Sequence, residues 1–263
     1  MTPTQLSHAV LRSLRDAVDG GELAVDAPRL PERIALRRPP RHVGAHAWST
    51  GIALRLAGPA GLPAPEVARL LGRRLVAEPG VAEVTVTGGG FLTIALAADA
   101  DAALLTAILA APPAPSRPED PASDAARWAA VAGGDPHGDL LVQREENPLF
   151  LTRYARSRAA ALGRAAEALG VVADPAAAPF QLPAERELLT AIGDGGRPTV
   201  RQAGWLTSIA DALLTVEALR PTLPSGDEKP EVVHRARLAL AQAAGTVLAD
   251  GLHALGISAP ERL

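Results

Sequence analysis

The sequence predicts an α+β protein, a small N-terminal α/β domain with an antiparallel sheet followed by an all-α bundle. Three observations carry that prediction. Two short alternating runs, VAEVTVT (81–87) and FLTIAL (91–96), are joined by three glycines, which is the pattern of a β-hairpin. From residue 124 onward the apolar residues recur at helical spacing. Between these regions lies APPAPSRPEDPAS (111–123), whose prolines at 112, 113, 115, 118 and 121 make an extended, semi-rigid linker. The expected domains are therefore 1–110 and 124–263, joined by 111–123.

The N-terminal elements follow in order. Leu6, Val10, Leu14 and Val18 recur every fourth residue and predict a helix over 2–18, ended by Gly20-Gly21. The segment RLPERIALRRPPRHV (29–43) is rich in proline and arginine, with part of it expected as an extended strand. Ser49 is expected to cap a helix running to about Ala57, and Pro65-Glu66 to open another with Val67, Leu70, Leu71 and Leu75 on its face. In the hairpin, strand parity sends Leu92, Ile94 and Leu96 to one face and Phe91 and Thr93 to the other. A short alanine-rich helix is expected over 99–111.

The C-terminal region reads as helices over 124–132, 148–170, 183–193, 199–219 and 230–255. Pro148 suits a first helical turn, where its missing N–H costs nothing. In that helix Tyr154, Leu162, Ala165 and Leu169 are expected to form the apolar face, with Arg158 in the middle and Arg153, Arg156 and Arg164 on the flank. A guanidinium on an apolar face requires a paired acid, because an unpaired buried charge is costly. Asp124 is the expected partner of Arg158.

Composition narrows the chemistry. The 263 residues suffice for a substantial core without metals or disulfides. There is no cysteine, which excludes disulfides, thiol catalysis and thiolate metal sites. Aromatics are 3% of the chain and alanine fills the apolar positions, so thin, closely packed helices are expected. Of the 26 basic residues only Lys229 is a lysine, a bias that coding-sequence base composition explains more simply than nucleic-acid binding does. The net charge of −3 divides into +3 over residues 1–98 and −6 over 99–263. Any phosphate-binding surface must therefore be a local arginine patch. No signal-like segment and no run long enough to span a membrane occurs, so a cytoplasmic location is expected.

The candidate contacts are few. Arg37, Arg38 and Arg41 lie in the most basic stretch, readable either as a solvated loop or as a phosphate-contacting arm. Phe91 with Thr93 reads either as a base-stacking platform or as packing within its own domain. His42 and His46 are the only histidines four residues apart, and they lack a supporting carboxylate, so no metal site is expected. The glycines at 88–90 lack the lysine and the strand–turn–helix context of a phosphate loop. No cofactor is implied.

Several stretches resemble the arginyl-tRNA synthetase family. Asp124-Ala125-Ala126-Arg127-Trp128 resembles the Asp-Ala-Leu-Arg motif that opens the family's anticodon-binding domain. Asn147-Pro148 and Arg153-Tyr154-Ala155-Arg156-Ser157-Arg158 resemble its Asn-Pro and Gln-Tyr-Ala-His-Ala-Arg helix, and residues 237–263 resemble its C-terminus. In the N-terminal part, Trp48–Leu54 and Gly88-Gly89-Gly90-Phe91-Leu92-Thr93-Ile94 resemble two motifs of the family's tRNA D-loop-binding domain. The resemblance implies that Phe91 and Thr93 touch a D-loop base. Thr93 stands where the family has Asn, Gly51 replaces an Asn and Ala47 an Asp, so base identity should be read differently here. Arg153 and Arg156 replace a neutral Gln and His. Where the family carries its catalytic domain this chain has the proline-rich linker, and neither a His-Ile-Gly-His nor a Lys-Met-Ser-Lys-Ser element occurs.

The resemblance thus implies a non-catalytic, synthetase-like protein that binds tRNA, an arginine tRNA among the candidates, at its D-loop side and its anticodon side. Its role would be that of a tRNA chaperone or a regulator of translation. The candidate contacts are Phe91, Thr93, Arg37, Arg38, Arg41, Arg153, Arg156 and Arg164, with Asp124, Arg127, Asn147, Pro148, Tyr154 and Arg158 as structural motif residues. The alternative is a protein-interaction module that has lost RNA binding and partners a synthetase or an enzyme of amino-acid metabolism. The acidic C-terminal region and its uncharged helix faces favour that alternative.

Overall fold

In the computed structural model, the described residues are 3–26, 30–31, 34–37, 39, 47–112, 115–193, 199–219 and 221–263. They form two compact units, Met1–Ala103 and Leu104–Leu263. The architecture is α+β, as the hairpin and the helical periodicities predict.

The first unit contains α1 (Pro3–Asp19), β1 (Ala47–Thr50), α2 (Ile52–Ala60), α3 (Ala64–Leu75), β2 (Val81–Thr87) and β3 (Phe91–Leu96). The sheet is antiparallel with order β1-β3-β2. Trp48, Ile94 and Val84 stand side by side across it, as do Ser49, Thr93 and Thr85 one step along. Period-2 alternation therefore gives one aliphatic face and one hydroxyl-bearing face. Leu92, Ile94 and Leu96 join Leu6, Val10 and Leu14 of α1 and Val67, Leu71 and Leu75 of α3 in one core. The β2–β3 corner needs glycine at position 90, where φ is 135° and a Cβ would come within 2.8 Å of the Ala64 Cβ at the start of α3.

One N-terminal expectation is corrected. Ser49 is not a helix cap. It lies in β1, where its N–H and C=O both pair with Arg37 (2.7 and 2.8 Å). The helix starts after Gly51, without a side-chain cap. A four-residue strand gives too short an alternation to be seen in sequence.

The break between units falls inside α4 (Ala100–Leu109), and Leu104 and Leu105 belong to the core of the second unit. There α5 (Pro121–Ala132), α6 (Pro148–Leu169), α7 (Pro183–Gly193), α8 (Thr199–Leu219) and α9 (Val232–Ala254) pack together. The α6–α9 crossing is very close. A Cβ added at Gly245 of α9 would stand 2.7 Å from the Ala159 Cβ of α6. Alanine and glycine at the crossing let the two backbones approach. No helix among the described residues is long and apolar enough to cross a membrane.

That crossing also corrects the expected face of α6. Its buried residues are Leu149, Thr152, Ala155, Ala159, Leu162 and Ala166, whereas Tyr154 and Leu169 are exposed at 38% and 49%. Half of the true stripe is alanine, so the larger apolar residues beside it gave a misleading signal.

Candidate nucleic-acid interface

On the hydroxyl-bearing face of the sheet, Phe91 is 42% exposed while Thr93, in the central strand, is buried. The Phe91 ring lies along glycine backbone. A Cβ at Gly51 would stand 3.2 Å from the ring and one at Gly88 3.6 Å from it. Thr93 Oγ1 is 3.4 Å from Thr87 Oγ1, and Ser49 and Thr85 flank it in register. An exposed aromatic surface beside hydroxyl groups can stack on an unstacked base and hydrogen-bond its edge. Arg37 is exposed at the rim, its backbone paired with Ser49. Arg38 and Arg41 lie outside the described residues, as do His42 and His46.

In the helical unit the motif residues act as staples. Asn147 caps α6, its Oδ1 accepting from the N–H groups of Leu149 and Phe150, while its Nδ2 donates to the carbonyls of Leu140 (3.0 Å) and Val142 (2.8 Å). Pro148 follows at the first helical position. Asp124, fully buried, accepts from the Ser258 N–H (3.1 Å) and the Ser258 hydroxyl (2.5 Å). Arg127 donates to the Gly256 carbonyl at 2.8 Å. These contacts tie α5 to the segment that follows α9.

The expected Asp124–Arg158 pair is not formed. Arg158 Nε donates to Glu217 of α8 at 3.1 Å, and its side chain is 43% exposed. With Ala155 and Ala159 buried and Ala159 against Gly245 of α9, Arg158 falls at the border of the buried stripe rather than within it. Tyr154, on the same side, stacks on Phe150 with ring centroids 5.7 Å apart.

The three flank arginines converge on the C-terminal tail. Arg153 donates to Glu119 (3.2 Å) and to the Ser258 hydroxyl (3.3 Å). Arg156 donates to the Glu261 carboxylate at 3.1 Å. Arg164 donates to the Glu261 carbonyl at 3.3 Å, and its other terminal nitrogen lies 3.9 Å from the Glu261 carboxylate. Ser157 also donates to that carbonyl, at 3.3 Å. The Nε atoms of Arg153 and Arg156 and Nδ1 of His253 are buried without a hydrogen-bond partner among the described residues. Burial pushes the His253 imidazole below its ordinary range; Asp250 opposes this, and Arg117 and Arg156 reinforce it.

Sequence reasoning missed Ser258, Glu261 and Glu217. Each sits between about 60 and 135 positions from its partner, and no local periodicity reports such a contact. Among the described residues no group of acids and histidines could hold a metal ion.

The family model of the DALR anticodon binding domain matches residues 225–263, which contain α9 and the tail. The arginine–tRNA ligase of Kineococcus radiotolerans is 40% identical over 124 residues, 47% of this chain and 22% of that protein. That of Renibacterium salmoninarum is 45% identical over 104 residues, 40% of this chain and 19% of that protein. That of Pseudarthrobacter chlorophenolicus is 41% identical over 111 residues, 42% and 20% of the respective chains. The matches thus span about a fifth of these relatives. The C-terminal part of the chain is of the DALR anticodon-binding class. Over that part it is similar to arginine–tRNA ligases.

Proposed function

We infer that this protein is a non-catalytic, synthetase-like tRNA-binding protein of the cytoplasm, acting as a tRNA chaperone or translation regulator. The single observation that carries the reading is the DALR match at the C-terminal end of an arginine–tRNA-ligase-like helical unit. The exposed Phe91 beside a row of hydroxyls supports it, since that surface suits an unstacked base of the D-loop side. In this reading residues 1–110 are the D-loop-side domain and 124–263 the anticodon-side domain. Neither nucleotide-site signature of the family occurs in the 263 residues, so the role is binding rather than aminoacylation.

A filter-binding titration with total tRNA and with an arginine tRNA, at about 50 and about 200 mM salt, tests the reading, because phosphate contacts weaken steeply with salt. Salt-sensitive binding that falls on Phe91→Ala supports it, and no binding at the lower salt defeats it.

Two observations favour the alternative, a protein-interaction module. The flank arginines are engaged by the chain's own tail, and the Phe150–Tyr154 stack presents an aromatic surface on α6. Binding to a partner synthetase through that surface would be insensitive to salt and lost on Tyr154→Ala.

A further inference from the structure

The geometry points to a phosphate-binding site on the flank of α6, formed by Arg156 and Arg164 and occupied in this state by Glu261 as an internal carboxylate. The ligand is the phosphodiester backbone of a tRNA, so the inference rests on the tRNA-binding reading above and adds a control element to it.

The tail satisfies some of the arginine donors and leaves others unsatisfied. Glu261 gives Arg156 one hydrogen bond at 3.1 Å, and its second oxygen stands 3.9 Å from Arg164. Arg156 is 17% exposed, and its Nε is buried with no acceptor. Arg153, one turn away and 12% exposed, has the same unused Nε. A guanidinium is a planar fork suited to two oxygens at once, and a single carboxylate shared between two arginines leaves part of each fork empty. A backbone phosphodiester presents two charged oxygens on a tetrahedral phosphorus, which a guanidinium fork can take as a pair.

The occupant is also weakly held. The Glu261 side chain is 66% exposed. Ion pairs at such exposure contribute little and are screened by salt. The tail is anchored elsewhere, through Ser258 on buried Asp124 and through Arg127 on the Gly256 carbonyl. Residues after Ser258 can therefore leave the arginines while that anchor stays closed. Because Glu261 holds a terminal nitrogen of Arg156 and stands beside Arg164, a phosphate takes both only when Glu261 moves. Binding and tail release are then one event, and the carboxylate lowers the affinity for RNA by competing for the same donors.

Glu261→Gln tests this with little risk to the fold, since it removes the charge and keeps the shape. Filter binding of total tRNA is measured for the unaltered protein, Glu261→Gln, Arg156→Ala and the double variant, at about 50 and about 200 mM salt. One further phosphate contact is worth a factor of about three over that salt range, so Glu261→Gln is expected to bind at least threefold tighter at low salt with a steeper salt dependence. Arg156→Ala in the same chain should abolish the gain. The Ser258 amide, held by Asp124, should stay protected from hydrogen exchange when tRNA is added. If the unaltered protein binds tRNA, loses binding on Phe91→Ala, and is unaffected by Glu261→Gln, the competition is overturned and the tRNA reading stands. If no variant binds tRNA at low salt, both fail.

Discussion

The open face of the N-terminal sheet and the flank of α6 each present candidate RNA contacts, but they present them in opposite conditions. On the sheet, Phe91 is exposed and its ring lies along glycine backbone at Gly51 and Gly88. On α6, every candidate arginine already has an acid or a carbonyl from elsewhere in the unit. The difference follows from what each surface costs to leave open. An exposed aromatic forgoes some hydrophobic burial, whereas a row of like charges repels itself and attracts any nearby carboxylate. An aromatic contact can therefore remain preformed, while an arginine patch on an otherwise acidic unit is met by an internal counter-ion. Each prediction below changes one side of this contrast.

The largest expected effect is at the anchor that lets the tail reach the arginines. Asp124→Ala removes two hydrogen bonds to a buried carboxylate and leaves the Ser258 N–H without a partner. A loss of about 3 kcal/mol in urea unfolding is expected, since hydrogen bonds to charged groups exceed the usual value and an orphaned buried donor adds its desolvation cost. Retention of stability would mean that the tail is not fixed through Asp124, and that the arginines are held by local pairing alone.

Next comes the crossing that sets which face of α6 is buried. Gly245→Val pushes against Ala159, which is already too close to accommodate even one added methyl. Overpacking of this kind costs about 2 kcal/mol. Because separation of α6 from α9 would rotate the flank, the variant should also loosen the Arg153–Ser258 contact, seen as faster exchange of the Ser258 amide. Stability without change would show that the helices have room to slide.

Phe91→Ala should separate binding from folding on the other surface. The side chain is half-exposed, so unfolding free energy should change by less than about 1 kcal/mol. Loss of one stacked base is worth about 1 kcal/mol or more, or a fivefold weaker complex with tRNA. A large loss of stability instead would mark Phe91 as packing for its own unit.

These contrasts also explain what could be read from the residues alone. The hairpin parity was legible, because a period of two assigns every side chain to a face once one aliphatic face is known. Phe91 was found in that way. The face of α6 was misjudged, because alanine at 155, 159 and 166 carries almost no hydrophobic contrast and Tyr154 and Leu169 carry a great deal. The caps were easier. Asn147-Pro148 announces a helix start, and the structure gives Asn147 a partner for each of its amide donors and two for its oxygen. The tail contacts were not legible, since Ser258 and Glu261 have no pattern around them that names Asp124 or Arg156.

The smallest expected effect decides the status of Arg158. A buried arginine whose acid is removed costs about 3–5 kcal/mol, whereas an exposed pair contributes about 0.2–1 kcal/mol. With its side chain 43% exposed and Glu217 as partner, Arg158 belongs to the second case. Arg158→Ala and Glu217→Ala should each cost about 0.5–1 kcal/mol, and a double-mutant cycle should return a coupling of the same size that shrinks as salt is raised. Asp124 and Arg158, in contrast, should show additive losses, because no contact joins them. A coupling well above 1 kcal/mol between Asp124 and Arg158 would restore the buried-pair reading and turn α6 by one position, which would also carry Arg156 and Arg164 away from Glu261.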